Sequence, residues 1–132
     1  MAPHAQALAA RCHDLAHWLL DHLVVATPTA NDQIGRPLFD EAFTLWTQIC
    51  QAVRGATHQR LHLMRAEDAL LRLRQLAEAA DPSHLGAPAR LRIDAETRGI
   101  EQALIVWHHQ LMARDRVLIP APRRPVPVRA AA

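Results

Sequence analysis

The sequence predicts an all-α protein, an antiparallel up-down bundle of four helices followed by a short tail. Apolar residues recur at spacings of three and four along four stretches, β-branched residues are sparse, and Gly and Pro cluster at a few points. The chain has 132 residues, half of them apolar, which suffices for one domain with its own core. We expect the bundle over residues 1–118 and a Pro/Arg-rich, disordered tail over 119–132.

The first predicted helix spans about residues 5–25. Its apolar side chains recur at spacings of three and four and form one stripe, made up of Leu8, Cys12, Leu15, Leu19 and Leu23. The segment 26–32 (Ala-Thr-Pro-Thr-Ala-Asn-Asp) ends this helix, because Pro28 restricts the residue before it and Asn-Asp favours a turn. The second helix therefore begins after this segment.

The second predicted helix spans about residues 37–53, with Pro37 at its first position and Gly55 just beyond its end. We expect its core stripe to consist of Phe39, Phe43, Trp46, Cys50 and Val53. Apolar residues continue around this helix over an arc of about 180°, whereas a core-facing stripe needs about 100°. The surplus predicts self-association, with an oligomer interface at Leu38, Leu45 and Ala52.

The third predicted helix spans about residues 58–80, with Thr57 as its N-cap. Its expected inward face consists of Leu63, Ala66, Leu70, Leu73, Ala77 and Ala80. On its outer face, the spacing predicts the ion pairs Asp68–Arg72 and Arg74–Glu78. The segment Asp81-Pro82-Ser83 ends this helix.

The fourth predicted helix spans about residues 88–118. Its expected inward face consists of Ile93, Ile100, Leu104, Trp107 and Leu111. Ile105 and Met112 lie away from that stripe, and Trp18 lies at the edge of the stripe of the first helix. These extra apolar residues add to the surface expected to bind another copy of the chain.

The charged residues are unevenly distributed. All 15 basic residues are Arg, and residues 1–113 hold ten of them against 12 acids, while residues 114–132 hold five Arg and one Asp. A basic tail is typical of a nucleic-acid arm, although it also keeps a protein soluble. The candidate contacts to phosphates or to an acidic partner are the Arg residues of the third helix and of the tail, namely Arg60, Arg65, Arg72, Arg74, Arg123 and Arg124.

The side chains that would carry out catalysis or bind a metal are mostly missing. His13 and His17, and likewise His58 and His62, are spaced to share a helix face, but a zinc site needs a third and fourth ligand. Ser83 is the only serine, and both cysteines fall in core stripes. We therefore expect no enzymatic activity, no metal and no cofactor.

An enzyme that cleaves RNA is an alternative class of protein. Arg11 and His17 resemble the Arg-x4–6-His motif of HEPN ribonucleases, which are also helical, so a ribonuclease is one alternative. Two cysteines are too few for a disulfide scaffold, and no long apolar run or secretory leader is visible. We therefore expect a cytoplasmic protein with no membrane partner.

Four short motifs follow one another along the chain. His13-Asp-Leu-Ala-His-Trp-Leu-Leu20 is similar to the pattern Y-D-L-x-x-W-L-L, and Pro28 with Ile34-Gly35-Arg36 is similar to F-P-R…L-G-x-R. Glu67-Asp-Ala-Leu-Leu-Arg-Leu-Arg74 is similar to D-x-x-L-x-x-L-R. Ile100-Glu-Gln-Ala-Leu-Ile-Val-Trp107 matches I-G-R-x-L-G-G-W at its Ile, Leu and Trp.

In this order, the motifs resemble the bacterial four-helix-bundle family that includes the 23S rRNA intervening-sequence proteins and Avd, the accessory variability determinant of diversity-generating retroelements. A resemblance to Avd implies a homopentameric barrel of bundles, which binds a reverse transcriptase and the template-repeat RNA and supports mutagenic cDNA synthesis without being an enzyme. A resemblance to the intervening-sequence proteins implies the same bundle with an unknown role. Both implications stay open at the level of sequence.

Overall fold

The computed structural model describes the backbone of residues 3–25, 31–55 and 57–118. It describes the side chains of residues 4–25, 33–55 and 57–114. Within these residues the protein is all-α, as predicted. Helix α1 spans Pro3–Leu19 and continues as π-type turns over Leu20–Val25. A second π-type segment, Asn31–Gly35, leads into α2 at Arg36–Arg54, followed by α3 at Gln59–Ala79 and α4 at Ala87–Leu118. Pro28 and the predicted tail at 119–132, with Arg123 and Arg124, lie outside the described residues.

Three of the four predicted core stripes are buried. The stripe of α1 is buried throughout, from Leu8 to Leu23. On α3 the predicted residues are buried except Ala80, which is half-buried just after the helix ends. The five predicted residues of α4 are buried as well. Thr97 of the same helix, a polar residue, is also buried and donates a hydrogen bond of 2.7 Å to the Ile93 carbonyl. A single apolar stripe was enough to predict the inward face of these helices.

The inward face of α2 was predicted wrongly. The buried residues are Leu38, Ala42, Leu45, Ile49 and Ala52, one position before the predicted stripe at each step. The predicted residues Phe39, Trp46, Cys50 and Val53 are half-buried, and Phe43 is 46% exposed. Both sets repeat at spacings of four and three, so α2 has two parallel apolar stripes. The branched and small residues fill the core, while the aromatic stripe lies at its margin.

The start of α3 also differs from the prediction. Thr57 is not the N-cap, because His58 occupies that position and makes no capping hydrogen bond with its side chain. His58 has a φ of 61°, in the left-handed region that residues other than Gly rarely adopt. The turn between α2 and α3 is therefore held by contacts other than a Thr cap.

Contacts between helices set the arrangement of the four elements. Helix α1 packs against α2 and α4, and α3 packs against the same two helices. Between α2 and α3, the Gln59 amide donates to the Ala52 carbonyl at 2.7 Å, and Arg72 donates to Glu41 at 3.1 Å. Residue numbers rise along α3 as they fall along α2, so these neighbours run in opposite directions. The core lies between the four helices.

Candidate nucleic-acid and partner interface

Two of the four Arg residues of α3 that were predicted as candidate contacts, Arg72 and Arg74, lie on different flanks of the helix. Arg72 faces α2, where its Nε lies 3.1 Å from both carboxylate oxygens of Glu41. Arg74 faces α4 and pairs there with Glu101. The predicted pairs Asp68–Arg72 and Arg74–Glu78 are thus replaced by pairs between helices, because both Arg residues lie at the edges of α3 rather than on its outer face. Arg60 and Arg65 are exposed.

The predicted oligomer interface needs a correction. Leu38, Leu45 and Ala52 are fully buried in the core of the single chain, so they are not available to a second copy. The surplus of apolar surface inferred for α2 exists, but it belongs to the other stripe. Because the core needs only one of the two stripes, the aromatic one is left at the surface.

We call this surface the aromatic face; it consists of Phe39, Phe43 and Trp46 of α2 together with His13 and His17 of α1. Its rings form a continuous series of contacts. Phe43 lies 6.0 Å from Phe39 and 5.7 Å from Trp46, and Trp46 lies 5.1 Å from the His13 ring, all measured between centroids. These distances are typical of aromatic pairs. The series reaches His17 through a centroid distance of 6.0 Å to His13.

A second apolar surface, the α3–α4 groove, lies along the seam between those helices. The exposed apolar side chains that line it include Leu71 of α3 and Ile105 of α4. Two clefts, of about 350 and 410 Å³, open into the groove, one lined by Leu71, Arg74 and Ile105 and the other by Arg74, Leu91 and Thr97 among others. Since α1 and α3 each pack against both α2 and α4, the groove lies on the opposite side of the bundle from the aromatic face.

The paired histidines of α1 do not form a metal site within the described residues. His13 Nδ1 lies 3.3 Å from Asp14, and His17 Nδ1 lies 3.2 Å from Asp21. No group of three or more His, Cys, Asp or Glu side chains in the described segments could hold a metal ion together. His62 at the start of α3 contacts Gln48 of α2, with 2.8 Å between Nδ1 and Oε1.

The Arg11 and His17 side chains, which resemble a ribonuclease motif, point in different directions. The guanidinium of Arg11 lies against Gly99 of α4. His17 instead lies on the α2 side of α1, beside His13 and Asp21. In general acid–base chemistry both groups must reach the same phosphodiester. Within one copy of the chain, these two do not converge.

The thiols and the lone serine occupy structural positions. Cys12 is fully buried, and burial, together with the nearby Cys50 thiol, raises its pKa to about 12. Burial also raises the pKa of Cys50, which is half-buried beside the aromatic face. Ser83 donates its backbone N–H and its hydroxyl to Asp81, both at 2.9 Å, and these bonds lower the pKa of that carboxyl. A thiol that stays protonated is a poor nucleophile.

No protein-family model, no curated protein and no solved structure matches this chain. Among the helices that the structure describes, none has the length and apolar character needed to cross a membrane.

Proposed function

We propose that this protein is a non-enzymatic accessory factor of the reverse transcriptase of a diversity-generating retroelement. In this role it is a homo-oligomer, a pentamer by analogy with Avd, of up-down four-helix bundles that binds the reverse transcriptase and template RNA during mutagenic cDNA synthesis. The observation that carries the proposal is that apolar residues of all four motifs are core residues of one four-helix unit. They are Leu15, Leu19, Ile34, Leu70, Leu73, Ile100, Leu104 and Trp107.

The burial of these motif residues in one core supports the four-helix fold that the proposal requires. Seven of these eight residues are also the ones that the apolar periodicity predicts to be buried, and Ile34 joins the same core. Leu15 and Leu19 of α1 belong to the same buried cluster as Leu70 of α3 and Trp107 of α4. A shared core pattern is expected of chains that share a bundle.

The two exposed apolar surfaces support self-association. Contiguous apolar surface on a protein marks an interaction site. Because the aromatic face and the α3–α4 groove are different surfaces on opposite sides of the bundle, contact between them in neighbouring copies is heterologous, the type of contact that forms a ring where the rotation between copies closes. The proposed ring thus forms by lateral contact of parallel bundles.

The proposal is tested by reconstituting cDNA synthesis. The reverse transcriptase of a diversity-generating retroelement is assayed on its own template-repeat RNA, with and without the full chain. We expect template-primed cDNA only when the chain is present, and we expect the two proteins to co-elute. Light scattering of the chain alone at micromolar concentration should give several times 14.7 kDa. A monomer, or a chain with no effect on cDNA, would contradict the proposal.

A further inference from the structure

Charged residues are segregated along the length of the bundle. The C-terminal part of α2, the turn after it and the first part of α3 lie at the same end as the last part of α4. Gln59 joins them, because its amide donates to the Ala52 carbonyl at 2.7 Å and its carbonyl oxygen accepts from Arg114 at 3.4 Å. We call this end, made up of residues 48–66 and 107–114, the basic end.

Acidic residues border the basic end but lie outside its two ranges: Glu67, whose Oε1 lies 3.6 Å from His108 Nδ1, Asp68 and Asp115. Residues 48–66 and 107–114 hold four Arg and no Asp or Glu, a formal charge of +4, and the Arg residues are Arg54, Arg60, Arg65 and Arg114. The opposite end, residues 20–25, 31–41 and 75–98, holds four Arg against eight Asp or Glu, a formal charge of −4. The overall charge of +2 conceals this difference.

The Arg residues of the two ends also differ in their partners. At the opposite end, Arg36 lies 3.4 Å from Asp40 and Arg98 lies 3.1 Å from Asp94. At the basic end, Arg114 contacts a neutral amide, and Arg54 and Arg65 are exposed. A guanidinium without a carboxylate keeps its charge available to a phosphate.

The backbone at the basic end is unusual as well. Among the described residues other than Gly, His58 alone has a positive φ, and its imidazole is exposed in the turn between Arg54 and Arg60. Such a conformation costs free energy, and strained residues cluster at binding sites. The turn therefore projects His58 from the middle of the basic end.

We propose that the basic end is the surface on which this protein binds the phosphate backbone of single-stranded RNA, with Arg54, Arg65 and Arg114 as contacts. The choice of RNA as the polyanion rests on the proposed function, whereas the charge segregation stands independently of it. The acidic opposite end repels the same ligand, so the RNA is directed to one end of each bundle. In a ring of parallel bundles, all basic ends share one rim and act on one strand together.

The test compares two double variants that remove the same number of charges from full-length protein. Arg54→Gln with Arg65→Gln changes the basic end, and Arg36→Gln with Arg98→Gln changes the opposite end. Binding to a fluorescent single-stranded RNA is followed by anisotropy over a series of salt concentrations. Each phosphate contact contributes about −0.7 to the slope of log affinity against log salt. We expect the basic-end variant to lose about 1.4 of slope per engaged subunit.

At 100 mM salt, this change should appear as a loss of affinity of about tenfold or more for the basic-end variant. The control variant should bind nearly as tightly as the wild type, because its lost charges lie at the end that does not contact the RNA. Circular dichroism and light scattering should be unchanged for both. Equal losses in the two variants, or no loss in the first, would overturn the assignment of the site. Heparin serves as a second polyanion: binding of heparin but not RNA through the basic end would refute RNA as the ligand and leave the charged site intact.

Discussion

The backbone carbonyl of Leu23 lies against the Cα of Gly35, so closely that no Cβ fits between them. Leu23 lies in the π-type extension of α1, and Gly35 immediately precedes α2, so the backbones of these two segments are in direct contact here. Gly35 has an ordinary helical conformation, with φ −62° and ψ −48°. Glycine is therefore required there by space and not by backbone conformation.

Replacing Gly35 by Ala should destabilise the fold, because the added Cβ meets backbone that can move only if the two helices separate. Overpacking of this kind costs about 1–3 kcal/mol. Gly99→Ala is the matched control, since its Cβ would meet only the mobile guanidinium end of Arg11, and Ala gains up to about 1 kcal/mol of helix propensity. Urea denaturation followed by circular dichroism measures both free energies of unfolding. Similar losses in the two variants would contradict this account of the helix contact.

Substitutions on the two stripes of α2 should affect different properties: stability for the buried stripe and self-association for the aromatic one. Leu45→Ala removes a fully buried side chain and should lower the free energy of unfolding by about 2–5 kcal/mol. Phe43→Ser removes a side chain that is 46% exposed on the aromatic face, so it should cost less stability and weaken self-association. Thermal unfolding and light scattering separate the two effects. If Phe43→Ser unfolds the chain and Leu45→Ala only dissociates it, the assignment of the two stripes is wrong.

The difference between α2 and the other helices explains what could be predicted from sequence. On α1, α3 and α4, one stripe of apolar residues repeats at spacings of three and four, and the remaining apolar residues do not form a second such stripe, so periodicity alone identifies the buried face. On α2, two stripes repeat with the same spacing, and hydrophobicity favours the aromatic one that contains Phe43. The core instead accepts Leu45, because closely packed helices leave room for branched and small side chains more readily than for a row of aromatic rings.

The candidate site was less predictable for a similar reason. From the sequence, ion pairs can be predicted between residues four apart on one helix, such as Asp68 and Arg72. In the structure Arg72 instead pairs with Glu41, whose carboxylate comes from a neighbouring helix. The charge segregation was visible only after the ends of α2, α3 and α4 had been brought together by contacts such as that of Gln59 with Ala52. A count of charges along the chain shows that the tail is more basic than residues 1–113. It does not show the difference in charge between the basic end and the opposite end of the bundle.

The stability of the fold at alkaline pH should depend on Cys12. The chain has no Lys or Tyr, and Arg stays charged beyond pH 12, so the thiols are the side chains that titrate between pH 9 and 12. Burial raises the pKa of Cys12 from 9.0 to about 12, so in this window the unfolded chain releases a proton that the folded chain retains. Stability therefore falls as pH rises, by about 1.4 kcal/mol per pH unit for one thiol.

The measurement is a series of urea denaturations from pH 8 to pH 11 on the wild type and on Cys12→Ala. The variant starts from a lower stability because a buried side chain has been shortened, but its alkaline decline should be shallower. Cys50 is present in both proteins and serves as an internal reference. Parallel declines would mean that the Cys12 thiol ionises equally in the folded and unfolded chain.

Deleting residues 119–132 should weaken RNA binding by removing Arg123, Arg124 and Arg129, which come after the end of α4 in the sequence. At most three phosphate contacts per subunit disappear, so the salt slope should shrink by up to about 2 per engaged subunit. The full-length variant with these three Arg residues changed to Gln keeps the length of the tail and should reproduce the effect. Combined with Arg54→Gln and Arg65→Gln, the losses of slope should add, since separate contacts to one polyanion release separate counterions. Unchanged affinity and slope in both tail variants would show that the RNA contacts lie in the helices alone.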